Sequence, residues 1–186
     1  GNEKETARAI LRKAVTFKAE RSEAKKEIAG ALAEAGMFSD AVRYFDDPRN
    51  NDERLALARL YNGAGQYAAA EKLINAVINS VPPPSEAMRK EARIMLADTV
   101  SYAGAHARAL EMFARLKLDY DTDRLLPIRE AEVTLWKQEY EKAFERFAAL
   151  YDKDPEEPRV WRGVVEPARR LRRRQDDQDG TPLLPP

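Results

Sequence analysis

The sequence predicts an all-α chain built from repeated helix-turn-helix elements, and three observations lead there. Large apolar residues recur three and four positions apart, with few β-branched alternations between turn residues, which is a helical period and not a strand one. One ten-residue pattern is written five times: "NEKETARAIL" from Asn2, "GMFSDAVRYF" from Gly36, "GQYAAAEKLI" from Gly65, "GAHARALEMF" from Gly104 and "QEYEKAFERF" from Gln138. The copies start about 34 residues apart, the length of a helix pair that cannot bury its apolar face alone and must stack on copies of itself. Composition agrees, since 44% apolar and 34% charged residues suit a folded helical chain rather than a disordered one.

In the repeat that starts at Asn51, Leu57, Ala58 and Tyr61 supply an apolar, a small and an aromatic residue to the first helix. Gly65 and Tyr67 mark the turn, Ala70, Ile74 and Val77 line the second helix, and Pro82 ends it. On these residues the chain resembles the tetratricopeptide repeat family, in which helix A and helix B of each repeat touch through small side chains. The small helix-A slot recurs as Ala29, Ala58, Ala97 and Ala131, and the small helix-B slot as Ala7, Ala41, Ala70, Ala109 and Ala143. Two helices approach to roughly 8 to 10 Å only where the facing side chains are short. The resemblance implies a right-handed superhelical solenoid of stacked helix pairs.

On that register the elements follow in order. Residues 2–19 align with a helix B that no helix A precedes, so the expectation is an orphan helix and further repeats upstream in a longer parent. Full repeats are expected at about 22–50, 51–84, 90–123 and 124–157. "PRVWRGVVEPARRL" then opens a terminal helix over 158–174, with Trp161 at the family's tryptophan position. Residues 175–186, "QDDQDGTPLLPP", carry no helical period and are expected to form a flexible tail. Two junctions break the regularity. At 46–51, "DDPRNN" contains Pro48, which cannot continue a helix and constrains the residue before it. At 81–89, "VPPPSEAMR" inserts three consecutive prolines.

Reaction chemistry finds little support. Cysteine is absent, which excludes disulfides, thiolate metal sites and cysteine nucleophiles. The single histidine, His106, stands at a turn position and has no second imidazole or thiol with which to build a metal site, so packing is its expected role. The acid pairs Glu139 with Glu141 and Asp46 with Asp47 fall in turns and helix starts, where carboxylates favour the helix dipole. There is no glycine-rich phosphate loop. No enzyme, no cofactor, no metal site and no small-molecule substrate are therefore expected.

Lysine plus arginine and aspartate plus glutamate stand at 32 each, so no overall field draws the chain to nucleic acid or anionic lipid. The one strong cluster is "ARRLRRR", which holds Arg169, Arg170, Arg172, Arg173 and Arg174. No aromatic residue interleaves with it, and Asp176, Asp177 and Asp179 follow it. A solvated helix face is thus favoured over an RNA-binding or lipid-binding patch. No apolar run reaches the roughly 18 to 20 residues that span a bilayer. The expectation is a soluble piece whose compartment the sequence leaves open. "VTLWKQEYEKAFERF" resembles repeats of bacterial exopolysaccharide-export scaffolds, which points toward a bacterial periplasm.

What remains is binding. The family resemblance implies that partners lie on an inner face made mainly by helix A, at the second, fifth, ninth, twelfth and thirteenth residues of each repeat. Those positions yield an apolar set of Leu55, Ile94, Tyr102, Ile128, Leu135 and Trp136, edged by Asp98 and Glu132, with Arg59 and Asn62 in the second repeat. Family members that grip a peptide's terminal carboxylate use a lysine and asparagine pair that this chain lacks. The expected function is a scaffold that holds a protein or peptide segment on this face. The alternative is a structural module that self-associates through the ends of the solenoid, as part of a secretion or polysaccharide-export complex.

Overall fold

The computed structural model describes residues 2–14 and 22–178. Residues 15–19 of the expected first helix and 179–186 of the expected tail lie outside the described residues. Ten helices follow one another: α1 (Asn2–Ala14), α2 (Ser22–Glu34), α3 (Phe38–Tyr44), α4 (Asn51–Gly63), α5 (Tyr67–Ile78), α6 (Glu86–Tyr102), α7 (His106–Asp119), α8 (Leu125–Trp136), α9 (Tyr140–Tyr151) and α10 (Pro158–Gln178). No strand occurs among the described residues. The helices form two compact units, Gly1–Ala103 and Gly104–Pro186, so the division falls at the turn within the repeat expected at 90–123.

The turns between paired helices share one conformation. Gly36, Gly65, Gly104 and Gln138 all have φ between 66° and 84°, the left-handed region that glycine enters without a Cβ penalty. Around three of them the helix closes by paired backbone bonds. Gly36 N–H donates to the Ala33 carbonyl and Met37 N–H to Leu32, both at 2.8 Å. The same pattern joins Gly65 to Asn62 and Gln66 to Tyr61, and Gln138 to Leu135 and Glu139 to Thr134. Gln138 is the exception in chemistry but not in shape. It adopts the same turn at the energetic cost that a side chain imposes there.

In the N-terminal unit, Ala29, Leu32, Met37, Ala41, Val42, Phe45 and Leu57 form one buried cluster. Ala58, Ala70, Ile74 and Val77 are buried farther along. A Cβ added at Gly63 would lie 2.3 Å from the Phe38 ring, so α4 can meet that ring only with bare backbone. Both junctions expected to be irregular are non-helical in part. Helix α3 spans only seven residues and stops before Pro48. The chain restarts at Asn50, whose side chain accepts from Glu53 N–H at 2.9 Å. Glu53 is itself buried. Its carboxylate accepts from Arg49 N–H at 2.7 Å and meets Lys26 Nζ of α2 at 2.8 Å. At the second junction Ser85 caps α6 by accepting from Met88 N–H at 3.3 Å. The helix therefore starts at Glu86, ahead of the repeat boundary expected at 90, because first-turn N–H groups need a cap and not a preceding turn.

In the C-terminal unit, Ile128, Ala131, Phe147 and Val160 make a buried cluster, with Leu135, Leu150 and Val164 packed against it. A Cβ on Gly163 would fall 2.2 Å from the Phe147 ring, and this lets α10 lie closely on α9. Helix α10 carries Pro167 in its interior and continues to Gln178. The expected boundary between helix at 174 and tail at 175 is therefore corrected by four residues. No helix breaker precedes Gly180, and an Arg172 to Asp176 pair one turn apart, at 3.9 Å, supports the extension.

One core position departs from the apolar pattern. Glu130 stands where the earlier repeats carry Leu57 and Leu96, and it is buried. Its carboxylate pairs with Lys117 of α7 and with Arg146 Nη1 of α9, the latter at 2.6 Å, so three helices share one anion. Burial alone pushes the carboxyl up. The hydrogen bonds and charges of Lys117 and Arg146 outweigh that and hold it below the usual carboxylate range.

These contacts generate three expectations for stability. Ala70→Leu overpacks the contact between α4 and α5 and costs about 1 to 3 kcal/mol, read as a lower denaturation midpoint. Gln138→Gly gains about 0.5 to 1 kcal/mol by relieving the left-handed residue. Glu130→Gln leaves two cations facing a neutral amide and costs about 1 to 3 kcal/mol near neutral pH. Because the folded carboxyl is depressed, its contribution is full above the unfolded-state value and fades as pH falls through the folded one. Urea titrations of parent and variant should therefore converge at acid pH.

Candidate functional site

The expected inner-face residues divide between the two units, and the structure treats them unequally. In the N-terminal unit Leu55 is 2% exposed, a core residue of α4 closed to any partner. Its expected place in a binding face is corrected on that ground. Arg59 pairs with Glu91 of α6. Asn62 Nδ2 donates to Thr99 Oγ1 at 2.8 Å, and that hydroxyl donates in turn to the Met95 carbonyl at 2.7 Å. Both polar residues are thus engaged in holding α4 against α6. Ile94 and Asp98 are half-buried. Tyr102 remains 46% exposed, its ring tilted by 43° against Tyr67 at a centroid distance of 6.4 Å.

In the C-terminal unit Ile128 is 5% exposed and packs on Ala131, Phe147 and Val160, so it too is corrected from contact residue to core. Glu132 accepts both arms of Arg159, from Nε at 2.9 Å and from Nη2 at 2.5 Å. This is the bidentate geometry that makes an arginine-carboxylate pair directional. It joins α8 to α10 as Arg59 and Glu91 join α4 to α6, with the signs exchanged. Leu135 is half-buried, and Trp136 is 43% exposed. These two residues line a hollow of about 360 Å³ with Gln138, Tyr140, Glu166 and Arg170. Glu166 and Arg170 satisfy each other at 2.8 Å. The hollow therefore offers an indole and aliphatic wall beside a neutralised ion pair.

The basic run on α10 is only partly free. Arg170 is paired as described, Arg172 faces Asp176, and the Arg174 guanidinium lies 4.5 Å from the centre of the Tyr140 ring. Arg169 and Arg173 are exposed. His106 is the half-buried first residue of α7. Glu139 is held below the usual carboxylate range by its hydrogen bond with Lys137 and by the charges of Lys137 and Lys142. No group of three or more His, Cys, Asp or Glu residues that could hold a metal ion occurs among the described residues, and no described helix is long and apolar enough to cross a membrane.

Sequence reasoning missed Tyr67, Tyr140 and Gln138 as site residues. The first two share one register position, the first residue of helix B, and that aromatic recurrence was the signal. It also missed the reciprocal ion pairs, whose signal is an opposite charge at the ninth residue of one repeat and the second of the next.

No family model and no curated protein matches the sequence. Solved structures do. A tetratricopeptide repeat protein from Parabacteroides merdae superposes with a TM-score of 0.61 at 18% identity, over 90% of this chain and 65% of that one. The chain thus spans somewhat less than two thirds of that protein's length. YrrB, described as a tetratricopeptide repeat protein with an unusual peptide-binding site, gives 0.56 at 19% identity over 87% of this chain and 83% of that one. A kinesin light chain with nearly identical repeats from Podosopora anserina gives 0.58 at 16% identity, over 80% and 84%. With its helix pairs, its left-handed turns at one register position and its fully buried alanine contacts, the chain has the tetratricopeptide repeat fold.

Proposed function

We propose that the chain is a non-catalytic scaffold that holds an apolar or amphipathic segment of another protein, with Trp136 as the principal anchor. The observation that carries this reading is the hollow beside Trp136. Its indole is half exposed, its floor is aliphatic and its one ion pair is internally satisfied. Exposed aromatic surface next to a concavity is what recognition of an amphipathic segment uses. In the N-terminal unit, Tyr102 with Tyr67 offers a second aromatic contact. The polar residues of the proposed face, Arg59, Asn62 and Glu132, serve chiefly to fix neighbouring helices. They therefore contribute to binding by keeping the aromatic residues in place. The chain lacks the lysine and asparagine pair that grips a terminal carboxylate in other members of the fold, so recognition does not depend on a free C-terminus. The peptide-binding description of YrrB supports the choice of ligand class, by likeness of fold alone.

The test uses peptides selected from a displayed library against the whole chain, then synthesised with free and with amidated C-termini. Calorimetric titration of the parent, Trp136→Ala and Tyr102→Ala should show a loss of about 1 to 4 kcal/mol for the tryptophan variant, with helicity and melting unchanged. Amidation should leave affinity within a factor of about two. Parent-like affinity in both variants, or collapse of binding on amidation, would overturn the proposal.

A further inference from the structure

Helix α10 occupies the place of a helix A, and its register can be compared residue by residue with the helix A of each repeat. Val165 fills the small-residue slot held elsewhere by Ala29, Ala58, Ala97 and Ala131, and Ala168 the slot of Leu32, Val100 and Thr134. In those repeats every one of these side chains is buried. On α10 the same face is open: Trp161 is 44% and Val165 39% exposed, and Ala168 is exposed with them. Among the described residues no helix follows α10 to cover it.

At about 100° per residue, Trp161, Val165, Ala168 and the stem of Arg172 fall in one stripe, flanked by Arg162, Arg169 and Arg173. Arg170, which lines the Trp136 hollow, lies on the opposite side of the helix, so this surface is independent of the one described above. The Arg162 guanidinium sits 5.3 Å from the centre of the Trp161 ring. Arg169 and Arg173 have no ion pair among the described residues. An apolar stripe edged by uncompensated cations calls for an occupant with an apolar stripe edged by anions. Valine in the alanine slot also holds an incoming helix farther away than the chain's own helix pairs sit. A second copy is disfavoured by charge, because α10 itself is basic and the exposed residues of α1 include Arg8, Arg12 and Lys13.

We infer that this face of α10 docks an acidic amphipathic helix from a partner protein, seated where a helix B would lie. The test pans a displayed library of helical peptides about 14 residues long against the full chain and measures the winners by fluorescence anisotropy. The expected winners carry Asp and Glu beside apolar residues at helical spacing. Their binding should weaken at least tenfold with Val165→Asp and with the double variant Arg169→Glu, Arg173→Glu. It should also fall as salt rises from 50 to 300 mM, and stay unchanged with Trp136→Ala. Circular dichroism on each variant confirms that the helices persist, and the arginine variants keep the test valid if Val165→Asp does not fold. The inference is overturned by any of four results: no enriched peptide; winners with neutral or basic flanks; winners indifferent to the α10 substitutions; or an α10 face that instead binds anionic vesicles, single-stranded RNA or a second copy and is not competed by acidic peptides.

Discussion

Close approach of helix backbones at alanine is the constraint on which the other features rest. Ala41, Ala58, Ala70, Ala97, Ala109, Ala131 and Ala143 have no measurable exposure, so helices meet there with little more than a methyl group on each side. At that spacing the large residues one turn farther on, Phe45, Ile74, Phe113 and Phe147, are driven into the gaps between repeats and fully covered. The left-handed turns answer the same requirement, since a chain that reverses within three residues must leave the helix in a conformation that only glycine, or a strained substitute such as Gln138, can adopt. Gly63 and Gly163 extend the logic to two places where even a methyl group would meet an aromatic ring.

Once the helices are that close, the side chains that bridge them have fixed work to do. The polar residues of the helix-A face are drawn into joints: Arg59 with Glu91, Asn62 with Thr99, and Glu132 with Arg159. The side chains left over are aromatic ones at helix ends, Tyr102 and Trp136, where the next helix does not reach. Binding capacity in this fold is thus a remainder after packing. The remainder lies at the turn side of each unit rather than along the middle of the helices.

How much of this was legible in the sequence depends on the range of the interaction. The alanine slots, the helix pairs and the glycine turns follow from local period and propensity, and these are written in neighbouring residues. Burial of Leu55 and Ile128 was not legible, because a helix has two apolar flanks and only the neighbouring repeat decides which one is covered. Glu130 shows the same limit from the other side. An acid in an apolar slot looks like an error until Lys117 and Arg146 are brought to it by helices on both sides. The end of α10 was set too early, since a run of charge was taken to end order, whereas charges four residues apart on a helix sustain it.

The exchanged signs of the two helix-A joints have a consequence for assembly. A chain made of look-alike modules risks docking them out of sequence, a known failure of repeat proteins in which every surface fits every other. Here the joint between α4 and α6 is an arginine followed by a glutamate, and the joint between α8 and α10 is a glutamate followed by an arginine. A misthreaded pairing of α4 with α10 would set Arg59 against Arg159, and one of α8 with α6 would set Glu132 against Glu91. Each wrong partner is met by repulsion and an unpaired charge, so the polarity of two ion pairs gives the modules an order of assembly that their shared shape does not.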